Sequence, residues 1–340
     1  MPTIRELSQW IREYGQGPRH QRRLMADPFL WHQTWVAMDI IDDVDSAFDA
    51  YIHNDFPEEM GELYLRIYGI MQALFLQQDA VSDLIQAIHP TRPIVQNDVL
   101  KDIREARNMS VGHPTRLKRK GALSSHGIVQ NSMRKDGFDL LSYPSQAGKI
   151  FDKIPVLALI AQEREETTRI LSEVVEDLRE QERAHRARSK DTKLADALRL
   201  VNYAFEKIFE GLRPGRYPTL GSWAVRQLQQ SLDDFSGLLK QRGLEVDSYD
   251  SVKCHYDEIS HPLAELTKFM SQEPSEVASD ASAVVFTTAL QTHFDRLCEI
   301  AREIDEEYAS EPTPVVRPQA SDETPINVTI SVIGKEPGLP

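Results

Sequence analysis

FLWHQTWVAMDIIDDVDSAFDAYIH at 29–53, NDFP at 54–57 and EEMGELYLRIYGIMQALFLQQDAVSDLIQAI at 58–88 decide the fold class. In the first run Trp31, Trp35, Met38, Ile41 and Phe48 recur at close to 3.6-residue spacing, which predicts an amphipathic helix. In the second, Leu63, Ile67, Ile70, Leu74 and Leu84 do the same. Asn54–Pro57 has the residue types of a turn. Two long helices joined so closely must lie against each other to cover their apolar faces, so the reading is an antiparallel helical bundle, mostly all-α.

Working outward, residues 1–28 read as an N-terminal helix and a basic stretch with Arg19, Arg22 and Arg23. The HPTRP run at 89–93 breaks the second long helix, and Asp98 opens a third that stops near Gly112 in Gly-His-Pro. Gly127–Tyr143 carries two apolar runs around Lys135-Asp136-Gly137, a cue for a small β-hairpin insertion. A fourth helix follows from about Pro155 into the 180s, with Ile170, Leu171, Val174, Val175 and Leu178 on one face. The unit 29–180 is one helical domain. Residues 181–193, seven of them charged and none an apolar residue larger than alanine, read as a solvated helical connector or a linker.

A second helical domain spans 194–310, with a stripe of Leu194, Leu198, Val201, Phe205, Ile208 and Leu212 and helices over about 222–242 and 275–308. From 311 the chain is Pro-rich and reads as a flexible tail. Within it Ile326, Val328, Ile330 and Val332 alternate with polar residues, as an edge strand would, and such a strand needs an edge of this chain or of a protein partner to pair with.

A length of 340 residues suits two domains and an appendage. Lys and Arg number 39 against 53 Asp and Glu, a net charge of −14, which argues against general coating of nucleic acid or anionic membrane. Any polyanion must therefore be met by a local basic patch. Glycine is scarce at 16 residues, against the Gly-rich phosphate-cradling α/β folds. Cys254 and Cys298 have no metal or redox spacing. The N-terminus lacks the apolar core of a signal peptide, and the longest uncharged apolar run, Ile154–Ala161, is far below the ~20 residues of a membrane span. The expectation is a cytoplasmic protein without a membrane partner.

The stretch that carries chemistry is DIREARNMSVGHPTR, Asp102–Arg116. Leu100, Ile103 and Val111 form one inward stripe of the third helix, and Arg107 falls in it where an apolar residue is expected. A guanidinium in that slot is costly unless it meets a carboxylate or a bound anion. The first-helix acids Asp39, Asp42, Asp43 and Asp45 are one candidate partner, and an anionic ligand is the other. Six residues on, His113 precedes Pro114, which disfavours helical backbone, while Gly112 suits a left-handed cap. His113 is thus turned out at the helix end, either simply as a terminator or toward the pocket of Arg107. From Arg104 to Lys120 there are six Lys or Arg and one Glu, a local net of +5. Arg104, Arg116, Lys118, Arg119 and Lys120 read either as a solvated loop or as phosphate-binding residues.

Arg107-Asn108 followed by His113, on a short helix after two long ones, resembles the signature of the HEPN superfamily (higher eukaryotes and prokaryotes nucleotide-binding domains). The resemblance covers roughly residues 29–180. It implies a helical domain that pairs with another of its kind, as a homodimer or within one chain, bringing two motifs face to face. It also implies metal-independent cleavage of RNA, with no cofactor, in an endoribonuclease or toxin-like effector. Arg107, His113 and Asn108 would be the catalytic group. An imidazole can take a proton from a ribose 2′-OH or return one to the leaving oxygen, and a guanidinium fits a phosphate bidentately. The same resemblance admits a non-catalytic interaction module.

Other patterns are weaker. The Asp39–Asp45 cluster lacks the DDxxD spacing of a helix-borne metal site, and Glu258-Ile-Ser-His261 is a single Glu-x-x-His unit where di-iron bundles need two. Aligned on His261-Pro262, His255 takes the place of Arg107, so the second domain reads as either an inactive duplicate of the first or an unrelated helical unit with a His-Pro turn.

Overall fold

A computed structural model describes residues 2–89, 97–119, 122–145, 148–213 and 218–312. Helix α1 (Ile4–Gln16) opens with a reciprocal cap between Thr3 and Glu6. Helix α2 (Pro18–Met25) carries the basic stretch. Asp27 caps α3 (Pro28–His53), with Pro28 at its first position, where a missing N–H costs nothing. Helix α4 (Met60–Ile88) returns against α3, and this pair is the most extensively packed in the molecule. Helix α5 (Asp98–Arg107) is capped by Asn97 and passes into a single π-helical turn, Asn108–Gly112.

Four antiparallel strands follow in sequential order: β1 (Leu117–Arg119), β2 (Ala122–Ile128), β3 (Phe138–Pro144) and β4 (Ile150–Ile154). The insertion is therefore larger than the hairpin cue suggested. The two inner strands hold the hairpin and its Lys-Asp-Gly turn. The two edge strands left no pattern: β1 is three residues long and β4 buries only Ile154. At the turn Gly137 adopts φ +155°, and a Cβ there would overlap the Ile154 carbonyl, so no other residue fits without rearrangement.

Helix α6 (Val156–Ser189) then runs for 34 residues. The first core gathers α1, α3, α4, α5, β3 and the first part of α6 around Met38, Phe48, Ile67, Leu74, Phe138 and Leu171. The charged connector is not a separate solvated segment. Residues 181–189 are the last nine of α6 and 190–193 the turn after it, and Glu182 binds Arg19 of α2 at 3.1 Å and Arg186 at 2.9 Å.

The second core is built from α7 (Leu194–Ala197), α8 (Val201–Gly211), α9 (Pro218–Gln241), α10 (Asp250–Met270) and α11 (Asp280–Ala309), with Phe205, Phe235, Leu263 and Phe294 wholly buried. Pro262 lies inside α10, so the expected His-Pro turn is absent. Packing of α10 between α9 and α11 carries the helix through the missing hydrogen bond. A buried ion pair seals this unit: Arg242 Nη2 meets Asp305 at 2.5 Å, and the same carboxylate accepts the Leu194 and Ala195 N–H groups that open α7. Among the described residues no helix is long and apolar enough to cross a membrane. The alternating run 326–332 lies outside the described residues.

Candidate functional site

Leu100, Ile103 and Ala106 seat α5 in the first core and leave Arg104 and Arg107 half-buried against α4. Both guanidinium planes lie over the ring of Phe75, at 4.4 Å and 4.3 Å from its centre. This is a favourable cation–π geometry in a partly desolvated place. Their polar partners differ in charge. Arg104 binds Asp79 at 2.6 Å and Gln78 Oε1 at 3.2 Å. Arg107 donates to Gln72 Oε1 at 2.7 Å and to Asn108 Oδ1 at 3.0 Å, and its Nε is buried without a partner.

No described carboxylate pairs with Arg107. The first-helix acids do not serve it: Asp39 and Asp42 bind Arg12, while Asp45 and the neighbouring Asp49 bind Arg164 of α6. Amide oxygens and a ring face hold the side chain in one place and leave its full charge for an anion. Carboxylates would neutralise it.

The π-turn closes over this guanidinium. His113 N–H donates to the Asn108 carbonyl at 2.8 Å, and Ser110 Oγ donates to the Ala106 carbonyl at 2.7 Å. Gly112 does not take a left-handed cap. A Cβ there would overlap Arg107 Nη1 and stand 3.1 Å from Asn108 Oδ1, so any larger residue would displace the guanidinium. His113 follows with φ −138° and ψ 48°, off the helix as Pro114 demands, and its side chain is exposed. The sheet pins this exit: His126 N–H of β2 donates to the Pro114 carbonyl at 2.6 Å.

A shallow groove of about 230 Å3 lies alongside, lined by Lys101, Arg104, Glu105, Asn108, Leu117 and Lys118. It unites Asn108, Arg104 and Lys118 of the expected site, and adds Lys101. Arg107, His113 and Arg116 do not line it; Arg116 is exposed in the turn before β1. Of Arg119 only the backbone is described, and Lys120 lies outside the described residues.

One neighbour escaped sequence reading. The His126 ring is bracketed by Ser124 Oγ and Ser142 Oγ, each at 2.8 Å, on the inner face of the sheet. Burial lowers its pKa, against the pull of Asp152 and Glu105. Alternation of Ser124, His126 and Ile128 was the available signal, and it is polar where a strand pattern is sought in apolar residues.

Among the described residues no three His, Cys, Asp or Glu side chains are grouped as a metal ion would need. The Glu258–His261 unit is taken up otherwise, His261 facing Glu276 at 3.2 Å. His255 contacts His293 at 3.2 Å within an unbroken helix, so this segment does not repeat the turn at His113. None of the family models, curated proteins or solved structures compared with this chain matches it.

Proposed function

We propose that the first helical unit is a HEPN-like domain and that the protein is a metal-independent endoribonuclease, an effector of toxin type, acting as a pair of chains. The observation that carries the reading is Arg107: a fixed, half-buried guanidinium without a carboxylate, in contact with Gly112 and followed at once by the exposed His113. Arg107 receives the scissile phosphate and stabilises the charge that builds on it. Asn108 orients the guanidinium. A neutral His113 takes the 2′-OH proton as the 2′ oxygen bonds to phosphorus, and a protonated His113 delivers one to the 5′ oxygen as its bond to phosphorus breaks. One imidazole cannot hold both states at once, so two chains supply the two roles. Lys118, Arg116, Arg119 and Lys120 offer charge to flanking phosphates. Arg104, already neutralised by Asp79, contributes least.

Pairing is supported by the surface of α4. Leu65 is 73% exposed, and Tyr68 and Leu76 are exposed on the same face as Gln72 and Phe75, which hold Arg107. An apolar stripe continuous with the site is what a second copy would cover. It equally favours the alternative of a non-catalytic interaction module, and cleavage separates the two. Incubated with mixed RNA in EDTA, the wild type is expected to leave 2′,3′-cyclic phosphate and 5′-hydroxyl ends. Arg107→Ala and His113→Ala, folded, should each lose at least ~100-fold in rate. Cleavage that survives both substitutions overturns the reading. A wild type inert on RNA, yet dimeric by light scattering and monomeric as Leu65→Glu, leaves the interaction module.

A further inference from the structure

In a chain of net charge −14, one cavity of about 660 Å3 is lined by Arg19, Arg22, Arg23, Arg188, Lys240 and Arg242, and by no carboxylate. It lies between α2, the end of α6 and the end of α9, far in sequence from the Arg107 motif. Some of this charge is answered from behind: Arg19 by Glu182, Arg22 by Glu245, and Arg242 by Asp305. Arg23, Arg188 and Lys240 meet no carboxylate among the described residues.

Backbone carbonyls explain part of the gathering, since Arg23 donates to the Ile88 carbonyl at 3.2 Å and Arg242 to the Thr192 carbonyl at 2.7 Å. They do not account for the donors left over. Arg242 is 3% exposed and spends one nitrogen on both its partners, so that Nε and Nη1 are buried and unpaired, as is Arg19 Nε. Buried charged donors without acceptors are costly, and they persist where a ligand completes them.

The crowding registers on the neighbours. Burial, with Arg19 and Arg23 beside it, holds the His20 imidazole down to about 4, so it stays neutral at pH 7. Burial and then Arg19 lower Arg23 itself. Burial lowers His185, with Arg19, Arg188 and Arg242 adding to the effect against Glu182. An anion in the cavity would offset the part of each shift that comes from the neighbouring cations. The volume is that of a small-molecule site, and no Phe, Tyr or Trp lines it, so recognition rests on charge and not on stacking.

We propose that this cavity binds a small polyphosphate, a molecule with two or more linked phosphate groups. Cations set on three helices around a cavity of about 660 Å3, three of them without a carboxylate, suit a ligand that presents several charged groups. Such a ligand would tie α2 of the first unit to α9 of the second. A nucleoside triphosphate and inorganic polyphosphate share the chemistry.

Titration calorimetry and thermal melting of the full chain with tripolyphosphate, ATP, adenosine and orthophosphate test this. Tripolyphosphate is expected to bind and raise Tm, orthophosphate to bind at least tenfold more weakly, and adenosine not at all. ATP binding beside tripolyphosphate supports the nucleotide as source, and ATP exclusion supports inorganic polyphosphate. Arg188→Glu changes an exposed side chain, and Arg23→Glu gives up only the bond to the Ile88 carbonyl, so both should fold, checked by their melting without ligand, and each should weaken tripolyphosphate at least tenfold. Absent binding to the wild type, undiminished binding to both variants, or orthophosphate as tight as tripolyphosphate overturns the proposal. So does an inert tripolyphosphate where a short single-stranded RNA binds and is lost in these variants.

Discussion

At the scale of single residues, two positions near the motif invert the usual expectation. Gly112 is constrained by what touches it, not by its backbone angles. Gly112→Ala should push the Arg107 guanidinium off Asn108 and Gln72, at a cost of about 1–3 kcal/mol in urea denaturation. The double variant with Arg107→Ala should recover part of that loss, since the colliding group is gone; strict additivity would show that the contact is not the cause. Glu163 is the second position. It is wholly buried, its Oε2 accepts from Gln78 Nε2 at 2.8 Å, and Gln78 also holds Arg104. Burial raises its carboxyl to about 8. The folded chain thus keeps a proton that the unfolded chain has released above its ordinary value of 4.5. Its contribution is complete below 4.5 and is lost as pH rises through 8, a swing of roughly a few kcal/mol. Glu163→Gln keeps the acceptor and removes the titration, so its stability should hold flat where the wild type declines. Equal slopes for the two proteins would refute this assignment. Arg107 as an anomaly in an apolar stripe was legible in the sequence. Its partners were not, because Gln72 and Phe75 stand on another helix and carry no charge to suggest the pairing.

At the scale of elements, apolar periodicity placed α3, α4, α6 and α8, because each buries a stripe several turns long, whereas α11 begins five residues later than expected and α10 reads as a turn. Periodicity missed the outer strands, of which β1 is three residues long and β4 buries only Ile154, and so missed how the sheet serves the site. The backbone bond from His126 to Pro114 makes β2 a clamp on the exit of the π-turn. The pairs His113-Pro114 and His261-Pro262 also part company here. Pro114 follows a helix that has already ended, whereas Pro262 is enclosed by α9 and α11, and packing overrides its propensity. Proline in a helix interior costs about 3 kcal/mol, so Pro262→Ala should stabilise the second unit by up to roughly that amount, seen as a higher Tm. A lower Tm would mean that the pyrrolidine ring itself is a packing element.

At the scale of the whole molecule, charge does the joining. The connector that reads as solvated supplies Glu182, His185 and Arg186, which reach α2 and α11, and Arg186 donates to the Glu307 carbonyl at 2.6 Å. Behind it, the buried pair of Arg242 and Asp305 anchors α9, α11 and the start of α7. Asp305→Ala leaves an uncompensated guanidinium in the interior and uncaps α7, and should cost about 3–5 kcal/mol. The loss should appear in the melting of the second unit; an unchanged Tm would show the pair to be dispensable. By itself the sequence determined the helical class, the long helices of the first unit, all of the second unit's main helices but α10, and the Arg107–His113 segment as the exception in an acidic chain. Those follow from hydrophobic period, proline and local charge, which are properties of neighbouring residues. Only the tertiary structure decided which charges are neutralised: Arg104 but not Arg107, Arg19 but not Arg188. Pairing depends on helices distant in the chain meeting in space, and local sequence holds no record of that.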